Sequence, residues 1–273
     1  DNSKGGSNLP SALRFYGSYD VSVQGITIQN SPQTHLKFDS CTSVKVFGVK
    51  ISSPANSPNT DGIHLQNSRD VEIHHSSMAC GDDCVSIQTG CSAIRVHNIN
   101  CGPGHGISIG GLGKDGTKAC VSNVSVYDSN IQNALNGVRI KTWQGGVGSV
   151  KSVSFSNIQV SNVSVPINID QFYCDKKKAC RNRTSAVFIT DVTYQKFTGT
   201  YVDTPVYLAC SDKMPCTDLK LTNIKLQPAI AADGKNPLCW NGYGQQQLLS
   251  VKCLQSGQPP NDPSHTQSPK DAC

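Results

Sequence analysis

The sequence has no apolar run that could cross a membrane. Of its 273 residues 37% are hydrophobic and 16% are charged, and no uninterrupted apolar stretch approaches the roughly 18 residues that a membrane helix requires. The low share of charge also argues against a disordered chain, because Val and Ile recur through most of the sequence. We therefore expect a folded protein that has no membrane partner.

Aromatic residues are scarce too, at 6%. The 24 Lys and Arg residues exceed the 19 Asp and Glu residues, which gives a net charge of +5 and favours a polyanionic partner. Apart from Lys176, Lys177 and Lys178 these cations are scattered, and no aromatic residues alternate with them as base stacking would require. We therefore expect no nucleic-acid partner.

Cysteine, by contrast, is abundant, with 13 residues. The paired C-x2-C spacing of zinc ribbons is missing, so disulfide bonds formed in an oxidising compartment are favoured over a bound metal. Three N-x-S/T sequons, at Asn123, Asn162 and Asn182, are candidate glycosylation sites and agree with a secretory route. The sequence predicts a secreted protein without a metal site.

One short pattern recurs along the chain. Two apolar residues with one residue between them are followed by a turn and a second alternating segment, and successive pairs begin 22 to 39 residues apart. Such alternation predicts β-strands, and no segment shows the apolar stripe of a helix. The eight pairs are Leu13/Phe15, Leu36/Phe38, Ile63/Leu65, Val85/Ile87, Ile107/Ile109, Val138/Ile140, Ile167/Ile169 and Val206/Leu208.

A unit this short cannot bury its own apolar face, so neighbouring units must stack. The sequence therefore predicts an all-β protein built as a right-handed parallel β-helix. A β-propeller is the alternative, but its blades need roughly 40 residues or more. We expect one domain over 1–273, with about eight coils over 9–227 and a C-terminal cap and irregular tail over 228–273.

Stacked coils place equivalent residues about 4.8 Å apart. The column two places before each apolar pair would point into the core by simple alternation, but glycine follows three of its members and indicates a bend that turns them outward. This column contains Asp61, Asp83, His105 and Asn136, and Asp82 stands beside it.

Carboxylates and cations would meet on one face of the stack. Arg139 and Lys141 alternate with a buried pair and should face solvent, next to the acidic column. Clustered carboxylates suit glycosidic cleavage, which needs one protonated acid and others that activate water, and mutual repulsion raises one pKa. The cations would bind an acidic sugar, so the partner would be an acidic polysaccharide. The alternative is that the aspartates are ordinary turn residues.

Four motifs in order carry a resemblance to a known family. The sequence resembles the polygalacturonases of glycoside hydrolase family 28, the plant type in particular, over roughly residues 9–227. The resemblance implies the single-stranded, pectin-lyase-like form of the parallel β-helix. The motifs are Asn59-Thr60-Asp61, Gly81-Asp82-Asp83, Gly104-His105-Gly106 and Arg139-Ile140-Lys141.

The resemblance implies catalytic roles for four residues. Asp82 would be the general acid, His105 would support its protonation, and Asp61 and Asp83 would activate water for a single displacement with inversion. The reaction implied is hydrolysis of α-1,4-galacturonosyl linkages, without a cofactor or metal.

The same resemblance implies substrate contacts. Arg139 and Lys141 would bind a galacturonate carboxylate, Asn59 would shape the subsites, and Tyr173 would contact the sugar. The partner would be homogalacturonan, and the location the cell wall or the extracellular space.

Position in the repeat also predicts disulfide bonds. We expect a bond between Cys84 and Cys101 that braces the catalytic turns, and local bonds for Cys174–Cys180 and Cys210–Cys216.

Two alternatives remain open. Members of the family usually have further coils and a cap before the first coil found here, so we expect a second chain or a segment outside this sequence to cover that coil. A non-catalytic pectin-binding β-helix is therefore one alternative. The other is a pectate lyase, which uses calcium; the Gly-His-Gly and Arg-Ile-Lys motifs disfavour it.

Overall fold

The computed structural model describes residues 9–174, 183–230, 235–247, 253–257, 259 and 273. A 3₁₀ turn spans Lys114–Gly116, and no helix in the described part is long and apolar enough to span a membrane. The strands are β1 (Leu13–Tyr16), β2 (Tyr19–Gln24), β3 (Thr27–Gln29), β4 (Leu36–Asp39), β5 (Thr42–Phe47), β6 (Lys50–Ser52), β7 (Ile63–Gln66), β8 (Arg69–Ala79), β9 (Val85–Ile87), β10 (Cys91–Cys101), β11 (Ile107–Leu112), β12 (Lys118–Gln132), β13 (Asn136–Trp143), β14 (Val147–Val163), β15 (Val165–Tyr173), β16 (Phe188–Tyr201), β17 (Val206–Ala209), β18 (Cys216–Pro228), β19 (Leu238–Trp240) and β20 (Gly242–Gln247).

The strands form two parallel sheets. The first has the order β1-β4-β7-β9-β11-β13-β15-β17-β19, and the second β2-β5-β8-β10-β12-β14-β16-β18-β20, with β3 and β6 paired beside β8. Each coil thus gives one strand to each sheet before the chain rises to the next level. The predicted all-β parallel β-helix of about eight coils is confirmed.

The apolar pairs fill the space between the sheets. From Leu36/Phe38 to Val206/Leu208 each member is at most 1% exposed, and consecutive pairs are register partners in the first sheet. In the first coil Leu13 is exposed and Phe15 is only partly buried. The core is therefore one column of stacked side chains, and its side chains become more exposed at β1.

Residues in the left-handed backbone conformation bend the long strands of the second sheet at one repeated position. Their φ angles lie between 48° and 57°, a region that asparagine and aspartate tolerate better than most other residues. Six coils share this bend, at His75, Asn98, Asp128, Asn157, Lys196 and Asn223.

The stacking continues past residue 227. Strand β19 pairs with β17 and β20 pairs with β18, so both sheets gain a further strand within the region expected to be cap and tail. The sequence pattern misses this coil because β19 reads Leu-Cys-Trp and has no apolar pair of the earlier kind.

Four disulfide bonds have both partners in the described residues: Cys84–Cys101, Cys120–Cys273, Cys210–Cys216 and Cys239–Cys253. Two of them join cysteines singled out in the sequence. Cys174 is also disulfide-bonded, while Cys180 lies outside the described residues. Cys41, Cys80 and Cys91 are buried free thiols. Among the sequons, Asn123 and Asn162 are exposed, and Asn182 lies outside the described residues.

Candidate active site

Three consecutive coils bring the acidic motifs to one face of the first sheet. Ser86 pairs with Ser108 and Ser108 with Arg139, while Gly110 pairs with Lys141. The stretches before β7, β9 and β11 carry Asp61, Asp82, Asp83 and His105 onto this face. The columns expected from the sequence are therefore adjacent in space.

Asp83 lies at the centre of a buried ionic network. Its Oδ1 accepts hydrogen bonds from Arg139 Nη2 at 2.8 Å and from Ser108 Oγ at 2.6 Å, and its Oδ2 accepts one from Lys141 Nζ at 3.0 Å. Burial opposes ionisation, but Lys141, Arg139 and the Ser108 hydrogen bond outweigh it and lower the pKa of Asp83. This carboxylate therefore stays ionised to a lower pH than an ordinary aspartate does.

Arg139 and Lys141 do not face solvent as expected from alternation. Each is 8% exposed, because the Asp83 carboxylate draws both cations inward and Arg139 Nε also donates to Ser108 Oγ at 3.2 Å. An arginine has five N–H donors and a lysine three, so both side chains keep donors that these contacts do not use.

Asp82 is more accessible than Asp83. Its Oδ1 lies 2.9 Å from His105 Nδ1 and also accepts the backbone N–H of Asp83 at 2.9 Å. The Asp82 side chain is 20% exposed and that of His105 is 37% exposed. The ligand atoms of Asp82, Asp83 and His105 all lie within 4.8 Å of one another. An accessible acid with a histidine partner therefore stands beside a carboxylate whose pKa is lowered.

Asp61 has a different electrostatic environment. Burial raises the pKa of Asp61, the negative charges of Asp82 and Asp83 add to that effect, and the hydrogen bond with His64 Nδ1 at 3.1 Å opposes it. The main chain of Asp61 is held as well, because the buried His35 places its Nδ1 2.9 Å from the Asp61 carbonyl oxygen. Asp61 and Asp83 thus have pKa values shifted in opposite directions, and Asp82 is more exposed than either.

Three supporting residues were not given these roles from the sequence. They are His35, His64 and Ser108. The three-residue spacing of Asp61 and His64 within one coil is a signal that could have revealed their contact. The hydrogen bond from Ser108 to Asp83 depends on side-chain conformation, which the alternation of apolar and polar residues does not predict.

Glycines hold the turns that carry the acidic residues close together. Gly106 has a φ of +87°, and a Cβ there would lie 2.1 Å from the carbonyl oxygen of Asn136. The backbone N–H of Gly81 donates to Thr60 Oγ1 at 2.9 Å, which ties the Asp61 turn to the turn of Asp82 and Asp83. The bends that follow the acidic column therefore depend on the absence of a side chain.

The remaining predicted contacts lie at the edges of the site. Asn59 is exposed in the turn before Asp61. The ring of Tyr173 lies 5.2 Å from Lys141 Nζ and packs edge-on against Trp143, with ring centroids 5.4 Å apart. Tyr173 and Trp143 thus form an aromatic wall beside the buried cations.

Comparison with known proteins gives a consistent result. The sequence profile described as glycosyl hydrolases family 28 matches residues 1–241. A protein named probable polygalacturonase from Arabidopsis thaliana is 42% identical over 248 residues, which is 90% of this chain and 56% of the relative. The polygalacturonase of Cryptomeria japonica is 44% identical over 233 residues, 85% of this chain and 45% of the relative. The chain thus spans about half the length of the curated relatives that it matches.

The fold also matches a solved structure. The crystal structure of an exopolygalacturonase from Thermotoga maritima superposes with a TM-score of 0.76 at 21% sequence identity, over 89% of this chain and 55% of that one. At this identity the likeness concerns the fold.

Proposed function

Because this chain belongs to family 28 of the glycosyl hydrolases, we propose that it hydrolyses the α-1,4-galacturonosyl linkages of homogalacturonan. The observation that carries the proposal is the pairing of an accessible Asp82–His105 hydrogen bond with an ionised Asp83 that is held by Arg139 and Lys141. The first pair can hold and deliver a proton, and the two cations suit an acidic sugar.

In the proposed reaction Asp82 donates its proton to the oxygen of the leaving sugar. His105 orients the carboxyl group through its hydrogen bond at 2.9 Å. The exposure of Asp82 supports this role, because the glycosidic oxygen must approach within hydrogen-bond distance. Protonation of the leaving oxygen allows the bond to the anomeric carbon to break.

As this bond breaks, water attacks the anomeric carbon from the opposite face, in a single displacement that inverts its configuration. A carboxylate must accept the proton of this water. The raised pKa of Asp61 supports it as the acceptor, because a stronger base takes the proton more readily. The lowered pKa of Asp83 supports a different role, in which Asp83 holds Arg139 and Lys141 and orients the water.

Arg139 and Lys141 bind the galacturonate carboxylate through the donors that they do not use on Asp83. Tyr173 packs against the sugar, and Asn59 shapes the subsite on the other side of the acids. The disulfide bonds and the exposed sequons at Asn123 and Asn162 support a secreted protein, with the cell wall as the place where its substrate is found.

The site disfavours a calcium-dependent lyase. Two cations already neutralise Asp83, and their charges would repel a divalent ion that bound Asp82 and Asp83 together.

Polygalacturonate incubated with and without a calcium chelator tests the proposal, with reducing ends and the ultraviolet absorbance of unsaturated sugars followed in parallel. We expect reducing ends that persist in chelator without new absorbance. Asp82→Asn should lower the rate at least about 100-fold, whereas the control Asp20→Asn, an exposed aspartate on β2, should leave it unchanged. Absorbance that disappears with chelator would indicate a lyase, and silence in both readouts would indicate a binding protein.

A further inference from the structure

One column of the first sheet carries cations on both sides of the acids. It consists of the register partners Arg14, Lys37, His64, Ser86, Ser108 and Arg139. Asp61 belongs to the coil of His64, and Asp82 and Asp83 belong to the coil of Ser86. Lys37 therefore stands one coil before the acids, while Arg139 and Lys141 stand beyond them.

Lys37 differs from Arg14, Arg139 and Lys141 of this face in having no partner among the described residues. Arg139 and Lys141 bind Asp83, and Arg14 binds Asp39 at 2.7 Å. Asp39 is the acid nearest to Lys37 along β4, but its Oδ2 accepts Arg14 and its Oδ1 accepts Ser40 Oγ. Within the described residues Lys37 makes no ion pair or hydrogen bond through its side chain, although it is half-buried.

An ammonium group that makes no hydrogen bond within the described residues keeps its three N–H donors for an anionic ligand. The four strand spacings between Lys37 and Arg139 amount to about 19 Å, and the three aspartates lie between these two positions. An extended polyanion that contacts both cations must therefore pass directly over Asp61, Asp82 and Asp83.

We propose that Lys37 binds the carboxylate of a galacturonate residue on the opposite side of the cleaved bond from Arg139 and Lys141. The inference rests on the proposed function and extends it to a second, remote subsite. It predicts that the protein favours a long, de-esterified stretch of polymer, because a methyl ester at this subsite removes the charge that Lys37 recognises.

The test compares Lys37→Met with Lys50→Met, which removes the same charge from the exposed face of β6 in the second sheet. We expect Lys37→Met to raise the KM for polygalacturonate about fivefold at low salt, as for an accessible ion pair, with kcat unchanged. Hydrolysis of trigalacturonate, which is shorter than the span to Arg139, should be unaffected. Lys37→Arg should retain most of the wild-type KM, and Lys50→Met should behave as wild type.

Direct binding of polygalacturonate, measured by calorimetry at two salt concentrations, is independent of turnover. We expect Lys37→Met to weaken this binding and to reduce its salt dependence. Equal effects of Lys37→Met and Lys50→Met, or an equal loss on trigalacturonate, would overturn the subsite. A wild-type protein that binds the polymer through Lys37 without cleaving it would refute the proposed hydrolysis and leave the subsite standing.

Discussion

At the scale of single residues, the site depends on how one carboxylate compensates two buried cations. Asp83→Asn leaves Arg139 and Lys141 without a counter-charge, so we expect a loss of about 3 kcal/mol in the free energy of unfolding at pH 7. Urea denaturation measures it, and Asp20→Asn is the matched control. A loss no larger than in the control would show that the cations relax into solvent.

The pH dependence of that loss has a definite sign. The pKa of Asp83 is lowered in the folded chain, so its stabilising contribution is present above the unfolded pKa of about 4 and disappears as the pH falls through the folded pKa. The difference between wild type and Asp83→Asn should therefore shrink in acid.

Asp61 should set the acid limb of the pH profile. Its raised pKa means that the proposed proton acceptor ionises at a higher pH than an ordinary aspartate does. We expect kcat/KM for polygalacturonate to fall with decreasing pH at a higher pH than a normal carboxylate would give. His64→Phe removes the hydrogen bond that lowers this pKa, so the limb should move further toward neutral pH. An unmoved limb would assign it to another group.

The position of most candidate site residues could be predicted from the sequence, because the strand register aligns equivalent positions of successive coils. Asp61, Asp83 and His105 occupy one repeat position, so stacking alone brings them together. The burial of Arg139 and the contacts of Ser108 and His35 could not be predicted, because they depend on which atoms long side chains reach.

At the scale of elements, the glycine after His105 decides where that side chain lies. Gly106→Ala would place a Cβ against the carbonyl oxygens of Asn136 and Gly137, so we expect a loss of at least about 2 kcal/mol in stability and a displaced His105. Gly17 also has a positive φ, but a Cβ there would have no atom within 4 Å. Gly17→Ala should therefore lower the free energy of unfolding by only about 1 kcal/mol. Thermal unfolding measures the stability of both variants, and kcat shows whether only Gly106→Ala displaces His105.

Strand position is predictable in this chain wherever an apolar pair exists. The alternating pairs locate β4, β7, β9, β11, β13, β15 and β17, since each pair lies within its strand. The added coil of β19 and β20 lacks that pattern and is stabilised through pairing with β17 and β18 and through the Cys239–Cys253 bond. A prediction based on apolar pairs therefore places the end of the stack one coil too early.

At the scale of the whole molecule, each strand described in the first sheet pairs only with the strands of the coils above and below it. Stability in such stacks is a sum of neighbouring interfaces, and local opening begins where the core is least covered. We expect hydrogen exchange to be slowest in β8 to β16 and faster in β1, where Leu13 is 37% exposed. Mass spectrometry of peptic fragments measures this gradient. Uniform protection along the stack would mean that exchange requires global unfolding.

The aromatic wall beside the cations gives the protein a built-in optical reporter. The chain has two tryptophans, and Trp143 lies between Lys114, whose Nζ is 4.8 Å from its ring, and Tyr173. Because Tyr173 in turn contacts Lys141, we expect a ligand bound at this lysine to alter the electric field around the indole. Trp240 is 56% exposed, so we expect its emission to resemble that of indole in water and a change in Trp143 emission to report a ligand beside the aromatic wall without an added label.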